Sequence, residues 1–138
     1  MSFNPYLMFS GGECAEAFRF YGTVFGVEPR IMTNADVPPG QEAMTGAAPE
    51  AVMHAAIEIN GGFLMGSDDP EGDGGPKLGF AVSYSATDPD DARRVFDQLA
   101  DGGTIGMPVS ETFWSPAFGM VTDRFGIPWM IDTAFAES

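Results

Sequence analysis

An internal repeat constrains this chain of 138 residues more than any other feature of its sequence. Residues 17–24 place apolar side chains at positions i, i+3, i+4 and i+7, and residues 92–99 repeat this pattern 75 positions later. The spacing predicts one amphipathic helix in each half of the chain. A short apolar strand is predicted before each helix, at residues 5–9 and 79–85. The pattern therefore predicts two copies of one structural unit.

The residues that follow each helix complete the repeated unit. Gly26 is a natural helix end, and Asp88 with Pro89 favours the start of the second helix. Asn and Gly at residues 60–61 predict a tight hairpin turn. Three strands are predicted after each helix, at residues 28–33, 52–59 and 63–67 in the first copy, and at residues 104–109 and in the hairpin 118–130 in the second. Each unit is thus strand–helix–strand–strand–strand.

The second copy ends in a hairpin, at residues 112–132, that is rich in large apolar side chains. Asp123 and Gly126 supply the residue types of its turn, and the flanking residues alternate as strands do. Two tryptophans, three phenylalanines and two methionines lie in these 21 residues, which is more than one buried face needs. Two explanations remain open: the hairpin is packed on both faces, or one face lines an apolar cavity.

The two copies define the predicted domain organisation. Residues 1–68 form the first module and residues 78–138 the second, with a linker at residues 69–77, and the modules together form one domain. Residues 35–51 lie outside the repeat and are rich in Pro, Gly and Ala. Their length and composition fit either a lid over a site or an inert insertion.

Charge and composition exclude several classes of partner. The chain has a net charge of −14 and only six Lys and Arg residues, so we expect its surface to repel nucleic acids and anionic lipids. No apolar run reaches the ~18 residues of a membrane span, and the N-terminus lacks a signal-peptide pattern. We therefore expect a cytoplasmic protein that binds neither nucleic acid nor a membrane. The single cysteine, Cys14, is expected to be a packed core residue.

Five stretches of this sequence resemble the vicinal oxygen chelate superfamily of glyoxalases, bleomycin resistance proteins and extradiol dioxygenases. They are PYLMF at residues 5–9, EAFRFYGTVFG at 16–26, VMHAAIEING at 52–61, FLMGSD at 63–68 and TFWSPAFGMVTDRFGIPWMI at 112–131. Within the superfamily they are most similar to the PhnB-like branch, often labelled demethylubiquinone methyltransferase-like. The resemblance implies an α+β fold of two βαβββ modules, in which curved mixed sheets form a concave cavity and the helices lie on the convex side. It also implies a homodimer.

The two-residue period of a β-strand predicts which side chains face that cavity. On the third strand His54 and Glu58 point away from the helix, while the alternate apolar residues face it. Tyr6 and Met8 on the first strand and Met130 on the last strand point inward by the same reasoning. The predicted ligand-binding residues are Tyr6, Met8, His54, Glu58, Met65, Phe113, Trp114, Phe118, Met120 and Met130.

The resemblance also bears on metal binding. In the metal-using members, His, Gln or Glu residues on the first and last strands of each module bind one divalent ion. The corresponding positions fall near Tyr6, Met65, Phe80 and Met130, none of which is an ordinary ligand of a divalent metal. We therefore expect no cofactor and no conventional metal site. A divalent metal with unusual ligands is the alternative.

These expectations leave two classes of function open. The first is a protein that binds an apolar or aromatic small molecule without a metal, as the resemblance to the resistance proteins implies. The second is an enzyme of the superfamily, of the lyase, dioxygenase or transferase type, that uses His54 or an unusually bound divalent metal. His54 is the candidate general base or hydrogen-bond partner of a ligand, because it alone on the predicted cavity face exchanges protons near neutral pH. The alternative is a structural histidine.

Overall fold

The computed structural model of the chain describes residues 3–36, 49–69, 72, 74 and 77–135. The chain divides into two compact units, Met1–Gly75 and Pro76–Ser138, which we call the first and second modules. In the described residues they contain two α-helices and eight strands, arranged in two four-stranded mixed sheets. The predicted α+β fold of two βαβββ modules is therefore confirmed. None of the helices in these residues is long and apolar enough to cross a membrane.

The first module is one mixed sheet with a single α-helix. Its elements are β1 (Tyr6–Phe9), α1 (Cys14–Phe25), β2 (Arg30–Thr33), a 3-10 helix (Asn34–Asp36), β3 (Val52–Ile59) and β4 (Gly62–Asp68). The strand order is β1-β4-β3-β2. β1 runs parallel to β4, whereas the β2–β3 and β3–β4 pairs are antiparallel. The chain between the two parallel strands contains α1, as a crossover connection requires.

The helix α1 covers one face of this sheet with an apolar stripe. One of the four residues predicted for this stripe does not belong to it. Phe18 is fully buried, whereas Phe20, which the sequence pattern placed on the core face, is only half-buried. The reason is Gly66 on β4, where an added Cβ would lie 2.8 Å from a ring carbon of Phe18. The glycine lets the Phe18 ring lie directly against the strand. Gly26 ends the helix at φ 69°, as predicted.

The second module repeats this arrangement. Its elements are β5 (Val82–Ala86), α2 (Pro89–Ala100), β6 (Thr104–Ser110), β7 (Phe118–Thr122) and β8 (Pro128–Thr133). The strand order is β5-β8-β7-β6, and here too the first strand runs parallel to the last. The β6–β7 and β7–β8 pairs are antiparallel.

The predicted start and the predicted core face of the helix α2 are both confirmed. The Asp88 carboxylate accepts a hydrogen bond from the backbone N–H of Asp91 at 2.8 Å, and Pro89 occupies the first turn. Its buried residues are the predicted four: Ala92, Val95, Phe96 and Leu99. Phe96 lies against Gly119 on β7, where an added Cβ would be 2.7 Å from a ring carbon.

The two modules close their last hairpins differently. Between β3 and β4, Asn60 and Gly61 have φ values of 50° and 81°, the left-handed pair that a two-residue hairpin turn prefers. Between β7 and β8, the buried carboxylate of Asp123 holds a longer loop. One of its oxygens accepts from the backbone N–H of Phe125 and of Ile127, and the other accepts from the indole N–H of Trp129 at 2.9 Å.

Two predicted strands begin at least two residues later than the sequence pattern indicated. The strand β2 begins at Arg30 rather than at residue 28, because Pro29 has no N–H to donate to a neighbouring strand. The strand β5 begins at Val82 rather than at residue 79, because Gly79 has φ 86°. The predicted lid at 35–51 falls mainly on residues 37–48, outside the described residues. Much of the predicted linker at 69–77 is also outside them, and the predicted module boundaries stay a prediction.

Candidate functional site

The face of the first sheet opposite α1, which we call the first open face, contains a pocket of about 620 Å³. This volume lies within the range of small-molecule sites. Alternation along β3 places His54, Ala56 and Glu58 on this face. The pocket is lined by Val27, Glu28, Arg30, Ile31, Met32, His54, Ala56, Ile57, Glu58, Phe63 and Met65.

Ala56 forms the floor of this pocket because its neighbours on all four sides have longer side chains. Arg30 on β2 and Met65 on β4 are its cross-strand partners. His54 and Glu58 lie two residues away on the same face of β3. The register therefore surrounds one small side chain with a guanidinium, a thioether, an imidazole and a carboxylate.

His54 lies on the open face between a thioether and an aromatic ring. Its cross-strand partner on β2 is Met32, and its ring centroid is 6.0 Å from that of Tyr6, with the planes tilted by 34°. No residue in the described part of the chain forms a hydrogen bond with the imidazole. Both ring nitrogens are therefore available to a ligand, one as a donor and the other as an acceptor in the neutral form.

Three charged side chains line the same pocket: Glu28, Arg30 and Glu58. None of them forms an ion pair with any residue that the structure describes. Met32 and Phe63 contribute apolar surface beside them, and both are more than a third exposed. The pocket thus combines an apolar wall with unpaired charges of both signs.

The corresponding face of the second sheet, the second open face, presents methionines. Met120 on β7 is the cross-strand partner of both Met107 on β6 and Met130 on β8. Met130 in turn pairs with Ser83 on β5. The middle of this face is therefore a row of three adjacent thioethers.

An aromatic cluster lies at one end of the second open face. Phe113 and Trp114 are 92% and 49% exposed, and the Trp114 ring contacts the buried Phe118 ring edge to face at 5.3 Å. The loop that presents them is held by buried hydrogen bonds. The Ser115 hydroxyl donates to the carbonyl of Thr133 at 2.6 Å and accepts from the backbone N–H of the same residue. The two exposed rings therefore sit on a loop that buried hydrogen bonds tie to the end of β8.

The ten predicted ligand-binding residues fall into two groups. The first group belongs to the first module: Tyr6, Met8, His54, Glu58 and Met65. Of these, His54, Glu58 and Met65 line the pocket, while Tyr6 and Met8 are partly exposed on the same face. The second group belongs to the second module: Phe113, Trp114, Phe118, Met120 and Met130. That both groups line one cavity stays a prediction.

Sequence reasoning missed Arg30, Met32 and Phe63 as pocket residues. The signal that finds them is strand register, because Arg30 and Met32 pair with Ala56 and His54 across β2 and β3. Alternation along β2 could be read from the sequence, but its partner strand could not. One of the predicted metal-ligand positions also needs a correction, because it depended on strand register. It was placed near Phe80, but Phe80 precedes β5, and the β5 residue paired with Met130 is Ser83.

Two polar groups of the first module have structural roles. The Asp68 carboxylate accepts from the backbone N–H of Cys14 at 3.0 Å and from that of Val52 at 2.8 Å, which ties the start of α1 to β3. Asp132, near the end of the equivalent strand β8, instead accepts a hydrogen bond from the Ser85 hydroxyl.

Burial, with the nearby charge of Asp68, raises the pKa of the Cys14 thiol to about 12. The thiol therefore stays protonated near neutral pH and is no nucleophile.

A family model decides where this chain belongs. The model of the Glyoxalase/Bleomycin resistance protein/Dioxygenase superfamily matches residues 5–131. The chain belongs to this superfamily. The resemblance to this superfamily is therefore confirmed.

Comparisons with individual relatives indicate the branch of the superfamily to which this chain is similar. It is 33% identical over 140 residues to protein YjdN of Escherichia coli K12, covering 96% of this chain and 95% of YjdN. It is 34% identical to protein PA1353 from Pseudomonas aeruginosa, with a TM-score of 0.82 and coverage of 97% and 98% of the two chains. It is 25% identical to the PhnB protein of Bacillus cereus, which is named as a 3-demethylubiquinone-9 3-methyltransferase, with a TM-score of 0.73 and coverage of 97% and 100%. These similarities support the PhnB-like branch.

The glyoxalase superfamily includes metal enzymes, so the donor chemistry of this member decides whether a metal fits. The paired residues on the first and last strands are Tyr6 with Met65 in one module and Ser83 with Met130 in the other. None is an ordinary ligand of a hard or borderline divalent ion. Among the described residues, no group of three His, Cys, Asp or Glu side chains is close enough to hold a metal ion. The residues that the structure describes therefore do not fit a conventional divalent metal.

Proposed function

We propose that this glyoxalase-superfamily member binds an apolar or planar aromatic small molecule over Ala56, without a conventional metal site. The observation that carries the proposal is the pocket of about 620 Å³ on the first open face. Its wall of Met32, Phe63 and Met65 offers apolar and adaptable surface, because thioether side chains adjust to the shape of a ligand. His54 supplies a placed polar group, as small-molecule sites require.

An enzyme that uses His54 as a general base is the second candidate function. The favouring observation is that the imidazole has no hydrogen-bond partner among the described residues, while its ring lies beside Tyr6 at the edge of the pocket. A ligand lying over Ala56 could then transfer a proton to a ring nitrogen. His54→Gln would abolish turnover but retain ligand binding in such an enzyme. In a protein that only binds, the substitution would change affinity alone.

Methyl transfer, which the name of the Bacillus cereus protein describes, is not part of our proposal for this chain. Neither of the glycine pairs 11–12 and 61–62 has the G-x-G-x-x-G spacing of a nucleoside-cofactor site. Gly11, Gly12 and Gly61 lie in connections between elements and have positive φ, and Gly62 is the first residue of β4. We therefore interpret them as turns.

We also propose that the chain forms a homodimer. Phe113, Trp114 and Met107 expose apolar side chains on the second module, and exposed apolar groups of this size typically mark an interaction surface. A second copy of the chain is the simplest partner, since two-fold homodimers are the commonest soluble oligomers. Light scattering at micromolar concentration should give the mass of two chains. A monomer mass would contradict the proposal.

The binding proposal is tested by filling the pocket. Ala56→Leu places an isobutyl group on the floor and should abolish binding of planar probes such as 2-naphthamide, followed by the NMR signals of labelled alanine and methionine methyl groups. Ala15→Leu is the matched control, because Ala15 lies on α1 and does not line the pocket. Binding that survives in Ala56→Leu, or that perturbs no methyl group near Ala56, would contradict the proposal.

A further inference from the structure

We propose that the ligand carries one carboxylate, held between Arg30 and His54, while its planar apolar body lies over Ala56 against Met65. This inference rests on the proposed small-molecule function and adds the chemical class of the ligand. It follows from three features of the pocket: an unpaired cation, the register around Ala56 and the position of Glu58.

The unpaired cation is the first feature. The whole chain has six Lys and Arg residues against twenty Asp and Glu residues. Arg30 is the one Lys or Arg side chain that lines this pocket, and it forms no ion pair with any described residue. In so acidic a chain, a cation has many carboxylates available as partners, and the general field repels anionic ligands. An arginine that lines a pocket without a partner is therefore suited to a ligand that brings its own negative charge.

The register supplies the second feature. Arg30 is the direct cross-strand partner of Ala56, so its two diagonal neighbours on β3 are Glu58, two residues after Ala56, and His54, two residues before it. Diagonal neighbours across an antiparallel pair are about 7–8 Å apart at their Cα atoms, within reach of long side chains. A carboxylate placed between Arg30 and His54 can accept hydrogen bonds from the guanidinium with both oxygens, and a further one from an imidazole N–H. The planar body then lies over Ala56, whose side chain is the shortest in this part of the face, and extends towards Met65.

Glu58 is the third feature, because it fixes the orientation of the ligand. It lies four residues from His54 on the same strand face, which is about 13 Å by strand rise. Its carboxylate forms no ion pair in the described residues. It would repel a carboxylate placed at that end and would accept a hydrogen bond from a hydroxyl or amine. The pocket therefore favours a monocarboxylate over a dicarboxylate.

A phosphate ester suits this pocket less well than a carboxylate. A phosphate dianion needs more positive charge than one guanidinium, whereas Glu28 and Glu58 add negative charge near the same site. The remaining wall includes Met32 and Phe63, which are apolar and match a planar hydrocarbon rather than a sugar.

The test uses three aromatic acids, each paired with its neutral amide of nearly the same shape. The probes are benzoate, 2-naphthoate and indole-3-acetate, with benzamide, 2-naphthamide and indole-3-acetamide. Titrations follow the Ala56 methyl signal of the whole 138-residue chain. At least one acid should bind about tenfold or more tightly than its amide, because a charge-assisted hydrogen bond is lost in the amide. Naphthalene-2,6-dicarboxylate should bind more weakly than 2-naphthoate.

Variants assign the preference to its residues. Arg30→Gln should remove most of the preference for the acid and leave amide binding nearly unchanged, while Glu58→Gln should strengthen acid binding about twofold, the size of a solvent-screened charge interaction. Arg93→Gln is the matched control: it removes the same charge at an exposed position on α2 that does not line the pocket, and the preference should persist.

The outcomes separate this inference from the proposed function. Acids and amides that bind equally well, and are both lost in Ala56→Leu, would overturn the carboxylate inference and leave the binding function standing. A preference for acids that survives in Arg30→Gln would also overturn the inference. If none of the six probes shifts the Ala56 signal of the unmodified chain, the binding proposal and the inference both fail.

Discussion

The two open faces differ most in the middle row of each sheet. In the first module the row consists of Arg30, Ala56, Met65 and Tyr6. In the second module it consists of Met107, Met120, Met130 and Ser83. The rows match in position, because Ala56 and Met120 lie on the third strand of their modules and Met65 and Met130 on the last. A depression over an alanine in one module thus corresponds to a filled thioether row in the other.

The helix-facing sides of the two sheets are far more alike. In each module the first strand runs parallel to the last, and one helix covers the sheet. Each helix also places a phenylalanine against a strand glycine, Phe18 on Gly66 and Phe96 on Gly119. Closely packed interiors tolerate few changes of volume. The comparison indicates that the shared framework lies on the helix side, and that the two modules differ mainly on the open side.

The strongest test of this comparison asks whether the aromatic cluster on the second open face is core. Trp129→Ala should destabilise the protein by about 3–5 kcal/mol, since the ring is only 2% exposed and its N–H bonds to Asp123. Trp114→Ala should cost only about 1 kcal/mol, the value of its ring contact with Phe118. Urea unfolding followed by circular dichroism measures both. A loss of 3 kcal/mol or more for Trp114→Ala would show that the cluster is part of the packed core.

The second prediction concerns the different closures of the last hairpins. Asp123→Asn should cost about 3 kcal/mol, because the amide group turns an N–H towards buried donors that now bond to carboxylate oxygens. Asp97→Asn, at an exposed position on α2, is the control and should change stability by less than about 0.5 kcal/mol. If both variants unfold at the same urea concentration, the Asp123 carboxylate does not stabilise the second module in the way we describe.

The third prediction uses two neighbouring alanines on β3 that face opposite sides. Ala55 is completely buried under α1, so Ala55→Leu should overpack the core and cost about 1–3 kcal/mol. Ala56 faces the pocket, so Ala56→Leu should change the free energy of unfolding by less than about 0.5 kcal/mol. Thermal melts of the two variants give the comparison directly. Equal losses would mean that the floor of the pocket is part of the packed interior.

Much of the fold could be predicted because its signals are local. The face of α2, its cap at Asp88 and the turn at Asn60 and Gly61 each depend on residues within one or two turns of chain. The face of α1 was predicted less well, since burial of Phe18 depends on Gly66, 48 residues further along the chain. Local periodicity cannot report that contact.

The candidate site was predicted only in part, for the same physical reason. Alternation along β3 identified His54 and Glu58 as open-face residues, because it needs no knowledge of the neighbouring strands. Arg30 and Met32 become pocket residues only through the register of β2 against β3, which is a long-range property. The pocket itself depends on both, since the low point at Ala56 is defined by its cross-strand neighbours.

The smallest expected effect comes from making the second row resemble the first. Met120 is 37% exposed, so Met120→Ala should cost less than about 1 kcal/mol, far below the value for a buried methionine. The variant opens a depression between Met107 and Met130, but the row has no arginine or histidine. Neutral 2-naphthamide should therefore gain affinity for the second module at least as much as 2-naphthoate does, as judged by the methionine methyl signals. A preference for the acid at this new depression would show that a space over an alanine selects carboxylates without Arg30 and His54, and the difference between the two open faces would then lie in shape alone.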